Sequence, residues 1–251
     1  MTTQLLIYKT AVPVSAARHG DCFVEAGADY SFSGAVNSVP LMAVEFPNAA
    51  AEYPIVFAGA EGEILPAVIL GLRGNENLFL SGASAWEGRY VPAFLRRYPF
   101  VFSQEGEQFT LCVDEEFAGL NRAGRGEALF DRSGAPTAYV QGLMAFLQDF
   151  QVQSVRTQVF CARLKALDLL EPTQANVTEA SGAQLSLGGF MAVSRERLRA
   201  LPGETLAELV QGDEMELLML HLYSLRNFEG LKDRLAAHSG VAGEGAPGLV
   251  H

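Results

Sequence analysis

The feature that most limits the fold of this chain is a change in the spacing of its apolar residues at Pro136. Between Leu5 and Asp114, short β-branched and aromatic runs are separated by turns that contain Gly or Asn, which is typical of β-strands. After Pro136, apolar residues recur every three or four positions, as in Val140, Leu143, Leu147 and Phe150, which is typical of helices. Strands first and helices later predict an α+β fold, β-rich over 1–135 and helical over 136–238.

The helical part also contains one hairpin. Helical spacing extends from Val140 to Leu170 and ends before Glu171-Pro172, because proline cannot continue a helix. The next segment, Asn176 to Val193, predicts a hairpin that turns at Ser181-Gly182. Three more helices are predicted at Ser194 to Leu201, Glu204 to Gln211 and Asp213 to Ala237. We expect a single domain over 1–238 and a disordered tail, rich in Gly and Ala, over 239–251.

An internal repeat lies in the β-rich part. Tyr53-Pro54-Ile55-Val56-Phe57 matches Tyr98-Pro99-Phe100-Val101-Phe102, and each is followed by Gly-Glu, Leu-Phe, Ser-Gly-Ala and Tyr-Val. The matches predict two similar strand and hairpin units at 53–90 and 98–140. The other interpretation is that Ser-Gly-Ala is a good turn sequence that the chain uses repeatedly.

Charge and cysteine content exclude several classes of protein. The net charge is −11, whereas a nucleic-acid binder needs clustered Lys and Arg, so no nucleic-acid partner is predicted. Three widely spaced cysteines, Cys22, Cys112 and Cys161, disfavour a disulfide framework or structural zinc site and favour a reducing compartment. The first ten residues lack the basic region of a signal peptide, and no uninterrupted apolar segment reaches the ~18 residues of a membrane span. We therefore expect a soluble, cytoplasmic protein without a membrane span, with export through an uncleaved signal left open.

The densest cluster of recognition-type residues predicts a site for a small anionic ligand or a peptide. Aromatic and Arg side chains form binding hot spots, and Arg binds carboxylates through two parallel hydrogen bonds. The candidates are Trp86, Arg89, Tyr90, Arg96, Arg97 and Tyr98, with Arg73 and Asn77 in a neighbouring turn. The alternative is that the aromatic residues belong to the core and the arginines pair with acidic neighbours such as Asp114, Glu115 and Glu116.

A second candidate is a metal site. His19-Gly20-Asp21, with His221 far downstream, has the H-x-D…H order of an iron-binding facial triad, and imidazole and carboxylate suit Fe(II). The alternative is a surface turn together with a histidine at the edge of the core, since His221 lies beside Leu218, Leu222 and Leu225. No other cofactor is predicted.

Several segments resemble the SapC family of bacterial proteins. The most specific is Trp86 and Tyr90-Val91-Pro92 followed by Arg96-Arg97-Tyr98-Pro99-Phe100. Others are Val39-Pro40-Leu41, Glu45-Phe46, Asn77-Leu78-Phe79, Leu129-Phe130-Asp131, Gly189-Phe190, His221-Leu222 and Asn227-Phe228. The resemblance runs from Val14 to Leu235. This family takes its name from surface-layer proteins and has no settled catalytic residues. Its members are often encoded near TonB-dependent receptors and near halogenase-like and cupin-like proteins, and the resemblance implies the same setting for this chain.

Three functions follow as hypotheses. The first is a non-enzymatic accessory or binding protein that recognises a peptide, a small anionic ligand or a partner protein, in uptake or modification of a nutrient or peptide. The second is an iron-dependent, oxygenase-like enzyme that uses His19, Asp21 and His221. The third is a structural protein of a surface layer, against which the missing signal peptide counts. The oligomeric state is not predicted.

Overall fold

A computed structural model describes residues 5–27, 29–59, 64–82, 84–106, 108–178 and 184–244, with only the backbone described from 239 onwards. The strands are β1 Ala11–Pro13, β2 Phe23–Val24, β3 Ser38–Pro40, β4 Ile55–Ala58, β5 Leu65–Ile69, β6 Leu80–Ser81, β7 Ala85–Trp86, β8 Phe100–Glu105, β9 Gln108–Asp114, β10 Leu120–Asn121, β11 Glu127–Ala128, β12 Leu170–Thr178 and β13 Gln184–Val193. The helices are α1 Ala16–His19, α2 Phe46–Ala49, α3 Ala93–Arg96, α4 Ala138–Ala166, α5 Arg195–Ala200, α6 Gly203–Gln211, α7 Glu214–Ser224 and α8 Phe228–Glu244. The α+β prediction is confirmed.

The largest sheet joins the two halves of the chain. Its five strands are antiparallel, in the order β12-β13-β4-β5-β3, so the late hairpin extends a sheet that begins near the N-terminus. Three successive β4 residues, Ile55, Val56 and Phe57, are fully buried, which means that both faces of this strand are covered. Helix α7 packs on β4 and β13, and α4 packs on β5.

Smaller sheets complete the β-rich part. Strands β1, β9 and β8 form one antiparallel sheet, and β10, β2 and β11 form another. Strands β6 and β7 form a short hairpin. One apolar cluster includes buried side chains from Ile7 to Leu235, so the β-rich and helical parts share a core. None of the helices within the described residues combines the length and the apolar character of a membrane span.

The two predicted repeat units share a hairpin, a short antiparallel pair and a helix in the same order, but strands β10 and β11 are inserted in the second unit. The first begins with the β4–β5 hairpin and the second with the β8–β9 hairpin. A short antiparallel pair follows in each, β6 with β7 in the first and the bridge between Phe130 and Pro136 in the second. Each unit then leads into a helix, α3 or α4. The starting hairpins belong to different sheets, because β5 pairs onward with β3 and β9 with β1.

Helix α4 ends earlier than its apolar spacing predicts. It stops at Ala166, and Asp168 takes a left-handed conformation with φ of 50°, which terminates a helix. Leu169 then donates its amide hydrogen to Leu164 O, and β12 begins at Leu170 instead of at Asn176. The predicted turn at Ser181-Gly182 lies outside the described residues.

The predicted last helix is two helices, α7 and α8, separated by a 3-10 turn at Leu225–Asn227. The Ser224 hydroxyl donates to His221 O and accepts the Ile55 amide hydrogen, and the Asn227 side chain donates to Ala50 O and Tyr53 O. These side chains bond to a distant segment and interrupt the helix. Helix α8 includes 239–244 of the predicted tail, and 245–251 lie outside the described residues.

Helix α3 has only four residues and begins after Pro92. The residues before Pro92 are held in an open loop because the amide groups of Arg89 and Tyr90 donate to the Glu52 carboxylate. This loop and α3 carry three of the predicted ligand-binding residues, Arg89, Tyr90 and Arg96.

Candidate functional site

Two of the predicted ligand-binding side chains, Trp86 and Asn77, have structural partners within the protein. The Trp86 indole donates to the Tyr53 hydroxyl and to Tyr90 O, at 3.2 Å each, and its ring stacks on Phe79. Asn77 is buried, and its amide nitrogen donates to the carbonyl and hydroxyl oxygens of Ser33. Both side chains are therefore engaged in packing and internal hydrogen bonds.

Tyr98 is also a packing residue. Its ring stacks on Phe32 at a centroid distance of 4.0 Å, and its hydroxyl donates to the buried Asp114 carboxylate at 3.3 Å. Burial raises the Tyr98 pKa, and the nearby Asp114 carboxylate raises it further. The phenol therefore stays protonated at neutral pH and keeps its role as a donor.

The predicted arginines occupy different environments. Arg73 lies on the surface beside Glu76, and Arg89 is exposed. Arg97 is only 5% exposed, and its guanidinium carbon lies 4.3 Å from the centroid of the Phe94 ring. Burial lowers the Arg97 pKa, although the neighbouring Tyr8 hydroxyl partly offsets this effect. None of Arg73, Arg89 and Arg97 lines the groove between α3 and α4, whereas Arg96 does.

Arg96 lines a groove of about 380 Å³ between α3, the turn before α2 and the first half of α4. Its guanidinium carbon lies 5.7 Å from the Tyr90 ring centroid and 5.5 Å from that of Phe146. Its Nε donates to Val91 O at 3.0 Å, which fixes the direction of the exposed fork. We call this cavity the Arg96 groove; its other walls are Met42, Val44, Glu45, Asn48, Ala93, Asp149, Phe150 and Gln153.

A buried carboxylate forms the floor of the Arg96 groove. Glu45 is 4% exposed and accepts hydrogen bonds from the Met42 amide at 2.8 Å, the Ala93 amide at 2.7 Å and the Tyr90 hydroxyl at 2.7 Å. Three donors satisfy this carboxylate, so its role is to hold the walls together. Burial raises the Tyr90 pKa, and the Glu45 carboxylate raises it further, so the phenol remains a donor.

The groove presents charges of both signs on opposite walls. Arg96 lies on α3 and Asp149 on α4, and the two form no ion pair with each other among the described residues. Apolar side chains, Met42, Phe146 and Phe150, lie between them. This arrangement suits an apolar ligand that carries a carboxylate, with an N–H group facing Asp149.

The acidic residues expected to pair with the arginines have other partners. Glu115 binds Arg18 through both carboxylate oxygens, and Glu116 lies 3.8 Å from the Lys9 ammonium. Asp114 is buried and accepts backbone hydrogen bonds from Lys9 and Thr10. Its carboxylate therefore anchors the N-terminal segment to the end of β9.

The structure does not assemble His19, Asp21 and His221 into a metal site. His19 is buried, with Nδ1 accepting the Ser15 amide hydrogen at 3.3 Å and Nε2 3.2 Å from a Glu115 oxygen. Asp21 forms an exposed ion pair with Arg122 at 3.1 Å. No three His, Cys, Asp or Glu side chains within the described ranges lie together as possible metal ligands.

His221 has a structural role at the junction of α7 with the largest sheet. Its Nδ1 donates to Ile55 O at 2.8 Å, and its Nε2 accepts the Val193 amide hydrogen at 3.0 Å. Burial lowers the His221 pKa to about 4, so the ring is neutral at neutral pH. Both nitrogens are occupied, which leaves no lone pair for a metal.

The sequence predicts residues of the α3 wall of the groove but none of the α4 wall. Tyr90 and Arg96 were among the candidates, whereas Glu45 and the α4 residues were not. A signal for the α4 wall existed, since Phe146, Asp149, Phe150 and Gln153 follow helical spacing and so share a face. No such local signal connects this face with α3.

Comparison with known proteins identifies a family and nothing closer. A family model described as SapC matches residues 14–231 of the chain, which includes every residue of the Arg96 groove. No curated protein and no solved structure matches the chain.

Proposed function

The chain belongs to the SapC family, and on that premise we propose that it is a non-enzymatic binding protein whose Arg96 groove takes the free carboxylate of an apolar ligand. That carboxylate belongs either to the C-terminus of a peptide or to a small molecule. The role fits the accessory part in uptake or modification of a nutrient or peptide that the family resemblance implies.

The single observation that carries the proposal is the position of Arg96. Of the four candidate arginines, Arg96 alone lines the groove. Two aromatic rings and a hydrogen bond to Val91 O hold its side chain there. A guanidinium held in this way loses little entropy when it forms two parallel bonds to a carboxylate. In a chain of net charge −11, such an exposed cation also attracts anions locally.

The other walls give the ligand its remaining chemistry. Met42, Phe146 and Phe150 supply apolar surface, and methionine adapts to ligands of varied shape. Asp149 and Gln153, on the opposite wall, are suited to accept from a peptide N–H group. A volume of about 380 Å³ is sufficient for one or two residues and too small for a long segment.

The other two hypotheses have less support. The iron-dependent alternative needs imidazole lone pairs, and those of His19 and His221 already take part in internal hydrogen bonds. A surface-layer role predicts open-ended assembly, which measurement of the mass in solution tests.

The test uses defined probes and calorimetric titration. The probes are N-acetyl-phenylalanine, an acetylated tetrapeptide that ends in Leu-Phe, and the carboxamide form of each. We expect the free acids to bind and the carboxamides not to bind, because the amide lacks the charge that Arg96 recognises. Preference for the tetrapeptide identifies a peptide C-terminus, and preference for the single residue identifies a small carboxylate.

Matched variants locate the site. Arg96→Gln is expected to weaken binding at least about tenfold, whereas Arg89→Gln, an exposed arginine outside the groove, leaves it unchanged. Arg199→Gln is a second control, since Arg195 and Arg199 border a separate apolar groove of about 460 Å³. Loss of binding in Arg199→Gln with retention in Arg96→Gln would contradict the proposal, as would equal binding of acids and carboxamides.

A further inference from the structure

An apolar surface runs along the outer face of α4, opposite the face that packs on the core. Positions spaced alternately by three and four residues form this face: Ala145, Gln148, Val152, Val155, Val159, Ala162 and Ala166. We call this row the α4 seam. Val152, Val155 and Val159 are 49%, 48% and 65% exposed, which is unusual for three valines in one row.

The spacing of the α4 seam is that of helices that pair with one another. A row with alternating intervals of three and four faces one side of a helix and suits side-by-side packing with a second helix. Between Ala145 and Ala166 the seam is about 32 Å long. The opposite side of α4 carries Leu147, Phe150, Thr157 and Leu164, all of them buried. Helix α4 is therefore apolar on two faces, and the core covers only one.

From these features we propose that α4 pairs with α4 of a second copy of this chain, antiparallel and about a twofold axis. The charges beside the seam select this partner and this direction. Asp149 and Arg156 lie on the same flank, seven residues apart, and in the described part of the chain Arg156 forms no ion pair.

In the antiparallel register that places Val152 against Val155 of the second copy, Arg156 of that copy is the charged residue nearest to Asp149 on the same flank, offset by about 3 Å along the axis. The twofold axis repeats the contact, so two attractive pairs form. In a parallel pair, each of these charges would instead face Met144 or Gln151, which are neutral. Charge complementarity therefore favours the antiparallel arrangement.

Shape supports the same register. A cavity of about 600 Å³ lies at the C-terminal end of the seam, bordered by Ile64, Leu65, Cys161, Ala162 and Ala166. The exposed Met144 lies at the other end, and in the antiparallel pair it reaches this cavity on the second copy. Methionine fills irregular apolar gaps well, so each copy offers one filling side chain and one cavity.

The first test is the mass in solution, measured by light scattering and sedimentation over a range of concentrations. The expected species is a dimer of two chains. Val155→Lys places a charge in the centre of the seam and is expected to raise the dimer Kd at least about tenfold. Val210→Lys is the matched control, since this α6 valine is 60% exposed and lies outside the seam, and it should leave the Kd unchanged. Circular dichroism verifies that both variants are folded.

Charge exchange tests the register and avoids dependence on a single variant. Asp149→Arg and Arg156→Asp should each weaken the dimer, because like charges then face each other, and the double variant should restore it. A monomer at every concentration, assemblies larger than a dimer, or an unchanged Kd in Val155→Lys would overturn the proposal. A double variant as weak as its parents would overturn the antiparallel register. Asp149 also borders the Arg96 groove, whereas Val155 does not, so Val155→Lys separates failure of pairing from failure of ligand binding.

Discussion

The Tyr90 hydroxyl donates to the Glu45 carboxylate at 2.7 Å, across 45 residues of chain. The same carboxylate accepts the Ala93 amide hydrogen at the start of α3 and the Met42 amide hydrogen before α2. One buried side chain thus joins the two segments that carry most of the Arg96 groove, and the shape of the groove depends on it.

Glu45→Gln is expected to lower the free energy of unfolding by about 2 kcal/mol, because an amide has one acceptor oxygen and leaves a buried donor without a partner. Tyr90→Phe removes only one of the three donors and should cost about 1 kcal/mol. Urea denaturation measures both. A Glu45→Gln variant as stable as the parent would mean that the carboxylate does not connect these segments.

Arg97 and Arg96 are neighbours with opposite expected responses. Arg97→Ala should lower the free energy of unfolding by about 3 kcal/mol, because it leaves a gap beside Phe94 and Phe150. Arg97→Met keeps the packing and removes a buried charge, so its stability should lie within about 1 kcal/mol of the parent. Arg96→Gln should change stability little and ligand affinity strongly. If Arg97→Met abolished binding of the free-acid probes, the ligand would depend on the buried arginine instead.

His221 makes stability depend on pH in a defined window. Its pKa is about 4 in the folded protein, below the ordinary value of 6.5, so below pH 6.5 the unfolded chain binds a proton that the folded chain does not bind. The contribution is fully present above pH 6.5 and is lost as the pH falls towards 4, by up to about 3 kcal/mol.

The check is denaturation at a series of pH values for the parent and for His221→Gln, which keeps one donor and one acceptor. The carboxylates titrate in both proteins, so the difference between the two curves isolates the histidine. We expect this difference to change between pH 6.5 and 4 and to be constant above 7. Parallel curves throughout would show that His221 does not resist protonation.

The break between α7 and α8 is a feature that the sequence does not predict. Apolar spacing continues from Leu218 through Leu235, and on that ground one helix is expected. The interruption arises because Ser224 and Asn227 bond to Ile55, Ala50 and Tyr53, more than 160 residues earlier in the chain. Local periodicity contains no information about such partners. In contrast, the end of α4 depends on the left-handed backbone conformation of Asp168. Asp adopts this conformation more readily than most residues, but an Asp by itself predicts a helix end only weakly.

The α+β class, the late hairpin, the positions of most helices and the family could be predicted from the residues alone, because periodicity, turn residues and motifs are local properties. Which of the candidate residues share a site depended on the folded arrangement. It buried Arg97, Tyr98 and His221, left Arg96 at a groove, and placed Glu45 and Asp149 beside it. Burial and pairing depend on which segments the common core brings together, and the sequence around a residue does not specify those distant segments.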